Sequence, residues 1–118
     1  MHLKEFWMRN IDSLKNSGEF RRIYELRLSE ADRYLVVYQA EGSGKIGIVC
    51  SKKVGNSVIR HRIVRLIREA YRLNKENIRK DKDIIIVARK SAKGQGFTEI
   101  SSSLLKLLKR CGLLENSN

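Results

Sequence analysis

Residues 47–69 read GIVCSKKVGNSVIRHRIVRLIRE. Ile48, Val49 and Cys50 end an apolar run suited to a strand, and Gly55 supplies a tight turn. Asn56 or Ser57 can then cap a helix that continues to about Lys75. At about 100° per residue, with Arg60 at zero, Ile59, Ile63, Leu66, Ile67 and Ala70 fall at about 240° to 340° and form one apolar stripe. Arg60, His61, Arg65, Arg68 and Arg72 fall at about 0° to 140°, and Arg62 lies near 200°, at the border. One side is therefore built to bury against a sheet, and the other presents guanidinium groups, which fork onto phosphate oxygens. Lys52 and Lys53 flank the helix start, where free N–H groups and the helix dipole favour an anion.

Working outward, the whole chain has 118 residues and a formal charge of +12. Residues 52–80 alone carry +8 of it, with ten basic and two acidic side chains. Such clustering is the footprint expected of a nucleic-acid binder; the plainer reading is a solvated helix face. The length suits one domain spanning 1–118, with residues 1–12 as a loosely held tail. No apolar run is long enough to cross a membrane, and the first residues lack a signal-peptide pattern, so a cytoplasmic protein is expected. Cys50 and Cys111 stand 61 positions apart in apolar surroundings and read as reduced core thiols.

The remaining elements follow from periodicity. Asn16 or Ser17 can cap a short helix whose Phe20, Ile23, Tyr24 and Arg27 share a side. Residues 33–39 and 45–50 are rich in β-branched and aromatic side chains around Glu41-Gly42-Ser43-Gly44, and read as a hairpin. Residues 83–88 (DIIIVA) read as a central strand buried on both faces. A last helix runs from about Thr98 to Cys111, with Ile100, Leu104, Leu107, Leu108 and Cys111 as its core stripe and Gly112 ending it; residues 92–96 form a loop before it.

Gly42-Ser43-Gly44-Lys45-Ile46-Gly47 satisfies G-x-G-x-x-G, but a strand follows it where a dinucleotide fingerprint needs a helix, so it is read as a turn. His2 and His61 have no partners at metal-ligand spacing, and no paired carboxylates or nucleophile–base pair can be argued. No catalytic residue is assigned to the chain, which counts against a stand-alone nuclease. Phe20, Tyr24, Tyr34 and Tyr38 are either core residues or, if their face is open, a stacking platform for single-stranded bases.

The stretch from Gly47 to Glu69 closely resembles the signature of the bacterial ribonuclease P protein component. Leu14-Lys15 with Phe20 and Tyr24, residues 33–38 and residues 83–90 are similar to other parts of that family, so the likeness covers nearly the whole chain. His61 departs from the family's usual asparagine, Val64 from lysine, Arg27 from glycine and Ser91 from proline. The resemblance implies an α+β two-layer sandwich: a small central sheet flanked by helices, in the order αβββαβα, with a left-handed βαβ crossover, a fold shared with a ribosomal protein domain. It also implies the protein subunit of an endoribonuclease that removes the 5′ leader of precursor tRNA, with the chemistry done by the RNA subunit and its bound Mg²⁺. By this resemblance Lys53, Asn56, Arg60, His61, Arg62, Arg65 and Arg68 face the catalytic RNA. Phe20, Tyr24, Ser29, Val36, Tyr38 and Lys52 line a cleft for the leader. The expected partners are the catalytic ribonuclease P RNA and precursor tRNA, with one protein monomer per RNA; the alternative is a general ribosomal or ribosome-associated RNA-binding protein.

Overall fold

Asn16 opens the first helix: its side chain accepts the Glu19 N–H at 3.0 Å, while Glu19 reaches back to the Lys15 N–H. In the computed structural model, which describes residues 13–115, this helix is α1 (Ser17–Leu26). The tail expected over residues 1–12 lies outside the described residues. α1 ends at Arg27, whose φ of 56° places it in the left-handed region where the family more often has glycine. There follow β1 (Ser29–Ala31), β2 (Leu35–Glu41), β3 (Ile46–Val49), α2 (Ser57–Asn74), β4 (Lys82–Ala88) and α3 (Phe97–Arg110). Short 3-10 turns occupy Lys75–Asn77 and Lys90–Ala92, the second taking up part of the expected loop before α3.

The sheet order is β1-β2-β4-β3, which corrects the expected hairpin. β2 and β3 do not pair; β4 lies between them, antiparallel to β2 and parallel to β3. The reason lies in β4 itself. Ile84, Ile85 and Ile86 are at most 1% exposed, so this strand needs neighbours on both edges and cover on both faces. Buried Asp83 fixes the connection, accepting the Ser43 and Lys45 N–H groups at 3.0 and 2.9 Å and an ion pair from Arg22. Residues 42–45 therefore wrap the start of β4. A Cβ on Gly42 would stand 2.2 Å from the Asp83 carboxylate, so the first glycine of the G-x-G-x-x-G run is required by this close approach. α2 makes the crossover between the adjacent parallel strands β3 and β4.

Helices cover both faces. α2 and α3 bury Ile63, Ile67, Ile100, Leu104, Leu107 and Leu108 against Leu35, Val37, Ile84 and Ile86. On the opposite face α1 buries Ile23 with Leu14, Ala40 and Ile85. α1 is only ten residues long, and Val36, Val49 and Val87 on its face remain half-buried. Asp32 locks the β1–β2 turn to α3. Burial would raise its carboxyl, but the Ser103 hydroxyl, the Leu35 and Tyr34 N–H groups and Lys106 outweigh that and hold it at about 2. Cys50 and Cys111 are free thiols, and burial pushes Cys111 up to about 11. Among the described residues no helix is long and apolar enough to cross a membrane.

Candidate nucleic-acid interface

The turn after β3 and the outer side of α2 form one basic surface. Val54 is buried and its N–H bonds to Ser51, which leaves Lys52 and Lys53 exposed at the turn. Gly55 is needed for closeness here, since a Cβ would meet Ile59 at 2.8 Å. Asn56 is the N-cap of α2; its Oδ1 accepts the Ile59 N–H at 3.0 Å, and both amide donors remain for a ligand. Arg60 donates through Nε to the Gly55 carbonyl at 3.1 Å, and Arg62 donates to the Gln95 carbonyl at 2.9 Å. These bonds leave part of each planar fork to face outward. His61 and Arg65 are exposed. The structure thus brings Lys53, Asn56, Arg60, His61, Arg62 and Arg65 onto one surface.

Arg68 departs from the helical-wheel expectation. It is only 8% exposed, its Nε is sealed from solvent without a hydrogen-bond acceptor, and burial lowers its pKa. The buried arc of α2 is wider than its aliphatic stripe, because Tyr71 is also buried and Val64 half-buried. Those two residues lie at about 20° and 40° on the wheel, with Arg68 next at about 80°. This shoulder faces β3 across a cavity of about 370 Å³ lined by Ile48, Cys50, Ser57, Arg60, His61, Val64, Arg65 and Arg68. Val64 is a wall of that cavity.

The aromatic residues meet on the other face. Register places Ser29 beside Tyr38, Tyr38 beside Ile85, and Ile85 beside Gly47 in one row; Ala31, Val36, Val87 and Val49 form the next. Both rows point to the α1 side, because residues two apart on a strand share a face. Tyr24 meets Tyr38 edge-on, with ring centroids 4.8 Å apart and planes at 86°. Burial and the neighbouring Tyr38 raise the Tyr24 hydroxyl above its usual range. Phe20 lies over Gly47, where a Cβ would stand 2.5 Å from the ring. A shallow groove lined by Ser17, Phe20, Arg21, Tyr24 and Val49 continues from it. Phe20, Tyr24, Val36 and Tyr38 are thus half-buried on an open face; Ser29, paired with Tyr38, and Lys52, in the turn after β3, are exposed. Val49 and Val87 complete this face. Sequence reasoning missed them because their position depends on β4 lying between β2 and β3.

The charge distribution distinguishes the α2 surface from the rest. No carboxylate lines any of the three cavities along α2 among the described residues. Ion pairs elsewhere on the molecule include Arg22–Asp83, Lys45–Glu19, Arg79–Asp81, Lys82–Glu41 and Lys106–Asp32, and Arg72–Glu69 lies toward the end of α2. Clustered cations repel one another, and an external anion relieves that repulsion. No group of three or more His, Cys, Asp or Glu among the described residues could hold a metal ion.

The family model for ribonuclease P matches residues 8–112. The chain is 48% identical over 109 residues to the ribonuclease P protein component of Lachnoclostridium phytofermentans, covering 90% of this chain and 94% of that protein. It is 40% identical over 113 residues to that of Alkaliphilus oremlandii, covering 93% and 99%. Among solved structures it is similar to the Staphylococcus aureus RNase P protein, with TM-score 0.80 and 38% identity over 86% of this chain and 96% of that one. The Thermotoga maritima RNase P protein gives TM-score 0.75 and 31% identity over 84% and 96%.

Proposed function

Because the chain belongs to the bacterial ribonuclease P protein family and is the protein subunit of ribonuclease P, we propose a division of labour between its two faces. Lys53, Asn56, Arg60, His61, Arg62 and Arg65 dock on the catalytic RNA, with Arg68 beneath them. The open face of Phe20, Tyr24, Val36 and Tyr38, edged by Ser29 and Lys52, holds the single-stranded 5′ leader of precursor tRNA. The observation that carries this reading is that the cavities along α2 are lined by cations and by no carboxylate. It would neutralise RNA phosphates as the two macromolecules close. The half-buried tyrosines and valines opposite it offer flat apolar contact to unpaired bases, which stacking rewards in a sequence-tolerant way.

In this reading hydrolysis of the phosphodiester belongs to the RNA, and the chain lowers the repulsion between two polyanions. Mg²⁺ would be held by RNA oxygens: it prefers oxygen ligands, and the α2 surface offers donor groups and cations in their place. One monomer would serve each RNA in the cytoplasm. The family match does not favour the alternative of a general ribosomal RNA-binding protein.

The direct test adds the protein to the cognate RNA and precursor tRNA at low Mg²⁺ and measures 5′ cleavage. Stimulation that weakens steeply with salt supports the reading, and absence of stimulation overturns it. Cleavage by the protein alone would move the chemistry into this chain.

A further inference from the structure

Arg68 does not fit a role as one more outward phosphate contact. The residue is 8% exposed, and its Nε is sealed from solvent with no acceptor among the described residues. An arginine stem can lie along apolar surface, but an Nε–H buried at a cavity wall is an unmet donor. The surroundings indicate what would meet it. Ile48, Cys50 and Val64 give apolar walls, while the exposed Ser57, His61 and Arg65 stand at the mouth. The volume of about 370 Å³ is on the scale of small-molecule pockets and larger than a phosphate group requires.

A ligand suited to this cavity has a flat apolar body, an acceptor edge and an anionic end. A nucleotide has all three. Guanidinium is donor-only, so it suits a base edge with two adjacent acceptors, such as O6 and N7 of guanine; on adenine the amino group beside N7 would oppose it. We propose that the cavity between β3 and α2 receives one unstacked guanine nucleotide of the RNA subunit, its base against Arg68 and its phosphate at Arg60, His61 and Arg65. This rests on the α2 surface being the RNA-subunit face. The leader is not the occupant: Ile48 and Cys50 pack with the α2 side of the sheet, whereas Val49 packs with the α1 side.

Two measurements test this. In the free protein, the Arg68 Nε–H resonance, identified by its loss in Arg68→Met, is followed during titration with guanosine, adenosine and cytidine monophosphates and inorganic phosphate. Guanosine monophosphate should shift it most and slow alkylation of Cys50 several-fold; an equal response to inorganic phosphate or to adenosine monophosphate overturns the proposal. In the assembled ribonucleoprotein, the RNA subunit is made with 7-deazaguanosine, which lacks the N7 acceptor, scattered at guanosine positions. Weakened protein binding should map to one unpaired guanosine with the wild-type protein and vanish with Arg68→Met. Normal stimulation of 5′ cleavage without such a position would sink the guanine pocket and leave the subunit assignment standing. Loss of stimulation by the wild-type protein would sink the subunit assignment itself.

Discussion

Replacing Arg68 with methionine should stabilise the free protein while weakening its hold on RNA. Methionine retains much of the apolar stem that packs beside Val64 and Ile48 and removes the guanidinium, whose Nε is buried without an acceptor. Such an unsatisfied group costs about 1–3 kcal/mol. Unfolding entropy of about 2.1 cal/mol/K per residue over 118 residues converts 1 kcal/mol into about 4 °C. The variant should therefore melt about 4–12 °C above the wild type when both are free of RNA. Lys52→Met is the control, since it removes one positive charge from an exposed turn and should change stability by no more than about 0.5 kcal/mol. Thermal unfolding followed by circular dichroism at low ionic strength reads both. With the RNA subunit present the order should reverse, because the group that is unmet in the free protein is the one the proposed guanine would satisfy. An Arg68→Met melting point at or below the wild type would refute the reasoning, as would an equal gain from Lys52→Met.

Four further outcomes are expected. Arg27→Gly relieves a left-handed residue at φ 56°; that conformation costs about 1–2 kcal/mol in other residues, and glycine's extra unfolded freedom returns part of it, so urea unfolding should show a net gain under about 1 kcal/mol. Asp32, held at about 2 against an ordinary 3.8, contributes stability that is present above about pH 4 and lost as pH falls through about 2. That contribution is about 2 kcal/mol, and Asp32→Asn should flatten this part of the acid-unfolding curve. Gly47→Ala pushes a methyl into the Phe20 ring and should cost about 1 kcal/mol on thermal unfolding. It should also narrow the difference in affinity between leader-bearing and mature tRNA; an unchanged ratio counts against the cleft. Arg65→Ala should lower the salt slope of RNA-subunit binding by about 0.7–0.9 log units per log unit of salt, as for loss of one phosphate contact.

What could be read from the sequence was whatever periodicity encodes along a single element. The stripe of Ile100, Leu104, Leu107 and Leu108 is fully buried, as is the isoleucine run of β4, because each pattern specifies its own face. The β2–β3 hairpin failed because adjacency in sequence is only a prior for pairing, and the stronger demand came from β4, which needs two neighbours. Arg68 failed for a related reason. A wheel gives angles but not what stands opposite, and here β3 stands opposite a shoulder of α2 counted as solvent-facing. The three glycines of the G-x-G-x-x-G run have separate causes: Gly42 clears Asp83, Gly44 takes a φ of 89°, and Gly47 admits Phe20. β1 has three exposed residues and no apolar alternation, so only the family resemblance anticipated it.

The same strand sets both candidate surfaces. Along β3 and the residue after it, Gly47 and Val49 pack toward α1 and the aromatic groove, whereas Ile48 and Cys50 pack toward α2 and the cavity beneath its arginines. Alternate side chains of a strand point to opposite faces, so the two surfaces lie back to back and share one backbone. β3 pairs with β4 along its length and is bridged at Ile46 by Ser13, and β4 is itself buried on both faces. The separation between the α2 surface and the aromatic groove is therefore fixed by a strand anchored in the core. A one-residue slip in β3 would exchange its faces and damage both surfaces at once. Asp83 opposes such a slip by accepting the N–H of Lys45, the residue immediately before β3, and by tying Arg22 of α1 to the same point. One buried carboxylate thus holds α1 and the shared strand in register, which gives a chain so rich in cations a use for an acid at this point.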